Sequence, residues 1–211
     1  LHYGMGVFEG VRAYEAEGGT AIFRLQEHTN RLFDSAHIMN MKIPFTKDEI
    51  NEAQRAAVRE NKLPSAYLRP MVFYGSEAMG LRATGLKVHV IVAAWSWGAY
   101  MGKEALEVGI KVRTSSFTRH HVNISMTRAK ANGNYINSML ALQEALSAGA
   151  DEAMLLDPEG YVAEGSGENI FLVKDGVLYT PEVTACLNGI TRNAAITLAH
   201  DLGIKVVEKR I

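Results

Sequence analysis

The stretch Lys130-Ala131-Asn132-Gly133-Asn134-Tyr135 organises the reading of this chain. One lysine stands just before a predicted helix, in a turn rich in Asn and Gly, with a tyrosine five residues on. A lysine in a constrained, partly desolvated turn can serve as a nucleophilic amine, although solvated surface charge is the commoner fate of lysine. A second stretch, Glu164-Gly165-Ser166-Gly167-Glu168-Asn169, gives it context.

Working outward, residues 5–15 alternate, with Val7, Val11 and Ala13 on one side and Phe8, Gly10, Arg12 and Tyr14 on the other, which predicts a strand. Ala21–Leu25 reads as its returning hairpin partner after the Glu17-Gly18-Gly19 turn, and a helix follows over about 26–39. Thr46-Lys47-Asp48-Glu49 is a capping box that opens a helix to about Asn61. The runs 66–74 and 87–95 read as strands, the second apolar on both faces and so expected to be central. Trp97–Gly102 breaks the pattern. The expected division is 1–96, a loop at 97–103, and 104–211.

In the second part, 107–115 reads as a strand and 134–148 as a helix with Ile136, Met139, Leu140 and Leu146 on or near one face. Glu152–Leu156 is a short strand, and 170–173 with 177–180 form a hairpin. Gly189-Ile190-Thr191 opens a helix that Gly203 closes. Strands and helices mix without βαβ alternation, so the fold class is α+β.

Composition narrows the function. The 211 residues are 47% hydrophobic and 21% charged, with net charge −1, so no basic field argues for nucleic acid or an anionic membrane. No apolar run reaches membrane-span length. The first residues lack the basic and apolar regions of a secretory signal. One cysteine, Cys186, permits neither an internal disulfide nor a cysteine-cluster metal site, and a cytoplasmic location is expected. His120-His121 has no acidic or His partner at helical spacing, so no metal site is expected. The chain does not start with Met, and its last residues read as mid-strand, which suggests a fragment of a longer protein.

Four features carry chemistry. Lys130 is a candidate imine-forming amine. Glu164 stands at a strand end beside glycines, where a backbone can approach a ligand, unless it is a solvated turn acid. Gly189-Ile190-Thr191 offers helix-start N–H groups and a hydroxyl, unless Thr191 is a simple N-cap. Arg31 flanks an apolar helix stripe, unless it is a surface ion pair. An amine, an acid, an anion cradle and an arginine are what pyridoxal 5′-phosphate requires.

At these residues the chain resembles the fold-type IV pyridoxal-phosphate enzymes, and within them the branched-chain amino acid aminotransferases. The resemblance rests on Leu1–Gly4 with Val7–Gly10, Tyr67-Leu68-Arg69-Pro70, Trp97–Tyr100, Lys130–Tyr135, Glu164–Asn169 and Gly189–Arg192, in that order. It implies a two-lobed fold with an incomplete second lobe, and a homodimer or larger homo-oligomer. It also implies transamination between leucine, isoleucine or valine and 2-oxoglutarate. Lys130 would hold the cofactor covalently and shuttle a proton; Glu164 would meet the ring nitrogen. Tyr135, supported by Asn169, would meet the ring hydroxyl, and Leu187 would pack on the ring face. Arg31, Ile190 and Thr191 would cradle the phosphate. Tyr3, Phe8, Tyr67, Trp97 and Tyr100 would line an apolar substrate pocket, and Arg69 would meet the distal carboxylate of glutamate. A further Gly-Thr turn of the family is expected beyond Ile211. The alternatives are a D-amino-acid transaminase or aminodeoxychorismate lyase of the same fold, or a non-catalytic binding module. Against the first, Tyr67-Leu68-Arg69-Pro70 favours the branched-chain subgroup over the D-amino-acid transaminases.

Overall fold

The computed structural model describes residues 3–98 and 104–211. The chain divides into two compact units, 1–103 with 129–133, and 104–128 with 134–211.

The first unit opens with β1 (Gly6–Phe8), β2 (Val11–Ala16) and β3 (Gly19–Ile22). Helices α1 (Leu25–Ile38) and α2 (Lys47–Glu60) follow, then β4 (Ala66–Tyr74) and β5 (Val88–Trp95). The five strands form one antiparallel sheet. The predicted single strand over 5–15 is interrupted, yet both pieces keep one register on β4, with Phe8 opposite Met71 and Val11 opposite Leu68. The break falls where the Glu9 N–H bonds the Pro70 carbonyl (2.9 Å), because Pro70 has no N–H to return. Val7, Val11 and Ala13 are fully buried, as their alternation predicts. The returning strand ends at Ile22, and Leu25 already begins α1. The capping box forms: Glu49 N–H bonds Thr46 Oγ1 and Thr46 N–H bonds Glu49 Oε2.

One expectation is overturned. The central strand is β4; among the described residues β5 pairs with β4 alone. Its second apolar face, which includes Ile91 and Trp95, lies exposed. Two apolar faces thus mark a strand covered on one side only.

The segment 129–133 belongs to the first unit as strand-like chain. Ala131 bridges Val7, and Phe8 N–H bonds the Lys130 carbonyl at 3.0 Å. Ala129 and Ala131 are buried in the core with Val7, Leu32, Ala36, Ile50 and Val72. Side chains alternate along an extended chain, so Lys130 between them turns away from that core.

The second unit contains α3 (Glu104–Val108), β6 (Val112–Thr114), α4 (Tyr135–Ser147), β7 (Glu152–Leu156) and β8 (Val162–Gly165). It continues with β9 (Leu172–Lys174), β10 (Val177–Thr180), α5 (Ile190–Asp201) and β11 (Val206–Glu208). Strands β6-β7-β8 and β11-β10-β9 make two small sheets. Asp175 and Gly176 both have positive φ, the two-residue turn that fits a right-twisted hairpin.

Two readings fail here. The 107–115 strand is a short helix followed by a three-residue strand. The predicted apolar stripe of α4 faces outward, with Ile136 and Met139 each 63% exposed, while Ser138, Ala141 and Ala145 are buried. Small residues let α4 approach β7 closely, around Ala153 and Leu155. Among the described residues no helix is long and apolar enough to cross a membrane.

Candidate active site

In the first unit the Phe8 ring gathers cations. Lys130 Nζ lies 5.0 Å and the Arg69 guanidinium 4.4 Å from its centroid. Lys130 is fixed through its backbone, whose N–H donates to the buried Ser35 Oγ at 3.0 Å. Arg69 and Tyr67 share one face of β4, being two residues apart, and Arg69 Nη2 donates to Tyr67 Oη at 3.0 Å. Tyr67 packs edge-on to Trp97 at 4.5 Å and tilted to Trp95 at 5.1 Å. Gly10 makes room for this: a Cβ there would stand 2.1 Å from Tyr67 Oη. Five predicted residues, Lys130, Phe8, Tyr67, Arg69 and Trp97, therefore form one amine, arginine and aromatic cluster. Tyr3 is exposed, and Tyr100 lies outside the described residues.

Arg31 is not a surface ion pair. Its Nε and Nη2 grip Glu9 Oε1 and Oε2 at 2.7 Å each, and Glu9 is fully buried. His28 Nδ1 also lies 2.7 Å from Glu9 Oε2. Burial pushes the Glu9 carboxyl up, but the hydrogen bonds from Arg31 and His28, with the positive charges of Arg31 and Lys130, bring it down to about 2. Sequence reading missed Glu9 and His28. The one available signal was an acid set in the buried strand run Val7-Phe8-Glu9.

In the second unit Glu164 is 5% exposed, so it is no solvated turn acid. It lies opposite Leu155 on β8. Arg119 Nε donates to its Oε1 at 2.8 Å, and Leu187 N–H to its Oε2 at 3.3 Å. Arg119 Nη1 reaches Asn137 Oδ1 and Ser138 Oγ on α4, both at 3.0 Å. The Asn169 amide donates to the Leu187 carbonyl at 2.9 Å. Glu164, Asn169 and Leu187 are thus joined by hydrogen bonds.

Next to them α5 begins. Gly189 is its N-cap, no side chain caps it, and its first turn holds no acid. Thr191 is exposed and is not the cap, so Ile190 and Thr191 are the first residues of a helix whose N-cap, Gly189, has no side chain. A Cβ at Gly189 would stand 2.1 Å from Asn169 Oδ1, which ties the helix start to Asn169. Tyr135 is the first residue of α4 and half-buried. Arg119 was missed, since nothing in the spacing links it to Glu164. Its neighbour His120 is half-buried, and burial with the Arg119 charge pushes its imidazole down to about 4. Among the described residues no group of three metal-binding side chains occurs.

Residues 6–211 match the amino-transferase class IV family. The chain belongs to that family, and its fold is the fold-type IV aminotransferase fold. Over all 211 residues it is 83% identical to the branched-chain-amino-acid aminotransferase of Pseudomonas aeruginosa, covering 100% of this chain and 69% of that protein. Among solved structures it is similar to the branched-chain amino acid aminotransferase of Escherichia coli, at 48% identity and TM-score 0.97, covering 100% of this chain and 70% of that one. The branched-chain amino acid aminotransferase of Thermobaculum terrenum in its PLP-bound holo form matches at 35% identity and TM-score 0.91, with 99% and 69% covered.

Proposed function

We propose that this chain catalyses pyridoxal-phosphate-dependent transamination between leucine, isoleucine or valine and 2-oxoglutarate, giving branched 2-oxo acids and L-glutamate. The supporting observation is the Phe8 cluster, where an amine and an arginine meet one aromatic face. The high identity to a named branched-chain enzyme supports the same reading.

The residues fit the cofactor on two counts. A helix start whose cap is a glycine and whose first turn holds no acid suits a phosphate. A buried carboxylate whose charge one arginine balances suits a protonated ring nitrogen. When bound, pyridoxal phosphate supplies the electron sink for negative charge at the substrate Cα.

The chain supplies the rest. Lys130 would hold the cofactor covalently, and its amine would shuttle the substrate Cα proton. Glu164 would meet the ring nitrogen, Tyr135 and Asn169 would serve the ring hydroxyl, and Leu187 would cover the ring. Arg31, Ile190 and Thr191 hold the phosphate, with Glu9 and His28 fixing the Arg31 fork. Phe8, Tyr67, Trp97, Tyr3 and Tyr100 exclude water from the substrate side chain, at about 0.8 kcal/mol per buried CH₂. Arg69 binds the distal carboxylate of glutamate, and its place beside aromatic walls favours this reading over the D-amino-acid transaminase. The enzyme works as a homodimer or larger homo-oligomer in the cytoplasm, with lobes at 1–96 and 104–211, from the second of which the strand-like segment 129–133 crosses to complete the first unit.

Replacing Lys130 by Ala in the full-length enzyme is expected to lower leucine turnover by about four orders of magnitude or more. The backbone bonds of residue 130 survive the change, so the variant should fold. Wild-type turnover by folded Lys130→Ala would end the assignment.

A further inference from the structure

Beside Glu164 two more carboxyls meet. Glu152, first residue of β7, is 3% exposed. Its Oε1 accepts the N–H groups of Ala153 (2.6 Å) and Ser166 (3.2 Å). Its Oε2 is sealed from solvent with no backbone or amide donor. The half-buried Glu168 side chain comes within hydrogen-bonding reach of Glu152. The Glu168 carbonyl accepts Gly165 N–H at 2.7 Å, and its Oε2 accepts Gly167 N–H at 2.9 Å. Gly165 is shaped to this arrangement, since a Cβ there would stand 3.0 Å from Glu168 Cδ. Glu168 thus stands within the turn that runs from Glu164 to Asn169, and Glu152 is tied to the same turn through the Ser166 N–H.

The charges facing Glu168 are Glu152 from β7 and Glu164 from β8, and the turn adds only the Gly167 N–H. Arg119, the cation that meets Glu164, is committed to Glu164, Asn137 and Ser138. Among the described residues no cation acts on Glu168, and two adjoining carboxylates, one buried and one half-buried, do not both ionise readily without one.

We propose that Glu152 and Glu168 hold one proton between them, donated from Glu168 Oε1 to the sealed Glu152 Oε2, and that this bond sets the turn carrying Glu164. Both are positioning residues. The consequence for catalysis rests on Glu164 being the partner of the ring nitrogen. Burial first, then Glu152, push the Glu168 carboxyl up to about 7. Its folded value lies above the ordinary 4.5, so the stability it contributes is whole below about 4.5 and is lost as pH rises through about 7. Loss of the proton also adds an uncompensated negative charge beside Glu164.

The test uses the full-length enzyme with its cofactor. Infrared difference spectra between about pH 5.5 and about pH 8.5 should show a protonated-carboxyl band that disappears on the alkaline side. The melting temperature should fall over the same range, and the bound cofactor's absorbance should inflect near pH 7. In E168Q the amide is a permanent donor to Glu152, so the band, the fall and the inflection should all be absent. E152Q, with donor and acceptor exchanged, should give the same flat profiles if E168Q fails to fold. A carboxyl band that persists in E168Q, or a flat wild-type melting profile, overturns the proposal. If the band and melting behave as stated while the cofactor's absorbance ignores both E164Q and E168Q, the ring-nitrogen reading and the positioning role fall, and the shared proton stands.

Discussion

The two units bury carboxyl groups in opposite company. In the first, Glu9 is enclosed by Arg31 and His28, and Lys130 adds its charge. In the second, Glu168 is set against Glu152 and Glu164. Burial raises both carboxyls, yet Glu9 ends near 2 and Glu168 near 7. The partner, not the depth, decides the sign. The same contrast runs through the proposed chemistry. The first unit concentrates cations, Lys130, Arg69 and Arg31, suited to carboxylates and phosphate. The second concentrates acids, with Arg119 balancing the one assigned to a ring nitrogen.

The largest expected effect on stability comes from breaking that balance. Glu164→Ala strands the Arg119 guanidinium, itself 6% exposed, without its carboxylate. Removing one member of a buried pair costs about 3–5 kcal/mol. Urea unfolding of the full-length enzyme without cofactor measures it, so the loss is not confused with weaker cofactor binding. A cost under about 1 kcal/mol would mean that water reaches the pair and that the second unit lacks the enclosure described.

The opposed pKa values give a sharper test. Glu9 is depressed, so its contribution to stability is present above about 4.5 and is lost as pH falls toward about 2. Glu168 acts on the other limb. Glu9→Gln should lower the melting temperature at neutral pH and flatten the acid side of the profile without changing the slope of the neutral side, whereas Glu168→Gln should flatten the neutral side and leave the acid slope in place. Melting temperatures of both variants from about pH 3 to about pH 9 check this. Equal effects on both limbs would remove the distinction between the units.

Sequence carried a good part of this architecture. Local signals were sufficient where a few neighbouring residues decide the structure: the Thr46 box, the Asp175-Gly176 turn, the strand over 66–74. They failed where burial is decided by a distant partner. The apolar residues of α4 suggested one inward face, but the helix turns Ser138 inward, where Arg119 meets it. The apolar run of β5 could not reveal that one of its faces stays uncovered. The site divides similarly. Lys130 and Glu164 stand in short motifs, whereas their surroundings are assembled across sequence separations of 22 for Glu9 with Arg31 and 45 for Arg119 with Glu164. No periodicity records pairings of that length.

The smallest expected effects come from two helix starts. In the first unit α2 begins with a filled cap, Thr46 with Glu49, and acids in its first turn. In the second α5 begins at Gly189 with neither. Thr46→Ala should cost about 1 kcal/mol of stability and leave turnover unchanged, because it removes only the local cap of α2, a helix that carries no assigned residue. A serine at Gly189 would ordinarily stabilise a helix by a similar amount. Here its Cβ would meet Asn169 Oδ1 at 2.1 Å, so Asn169 must swing off the Leu187 carbonyl. Gly189→Ser should therefore gain no stability and should weaken cofactor affinity, read by absorbance titration of the enzyme without cofactor. If it stabilised the enzyme and bound cofactor normally, the glycine cap of α5 would be an accident of sequence, and its assignment to phosphate would lose its physical ground.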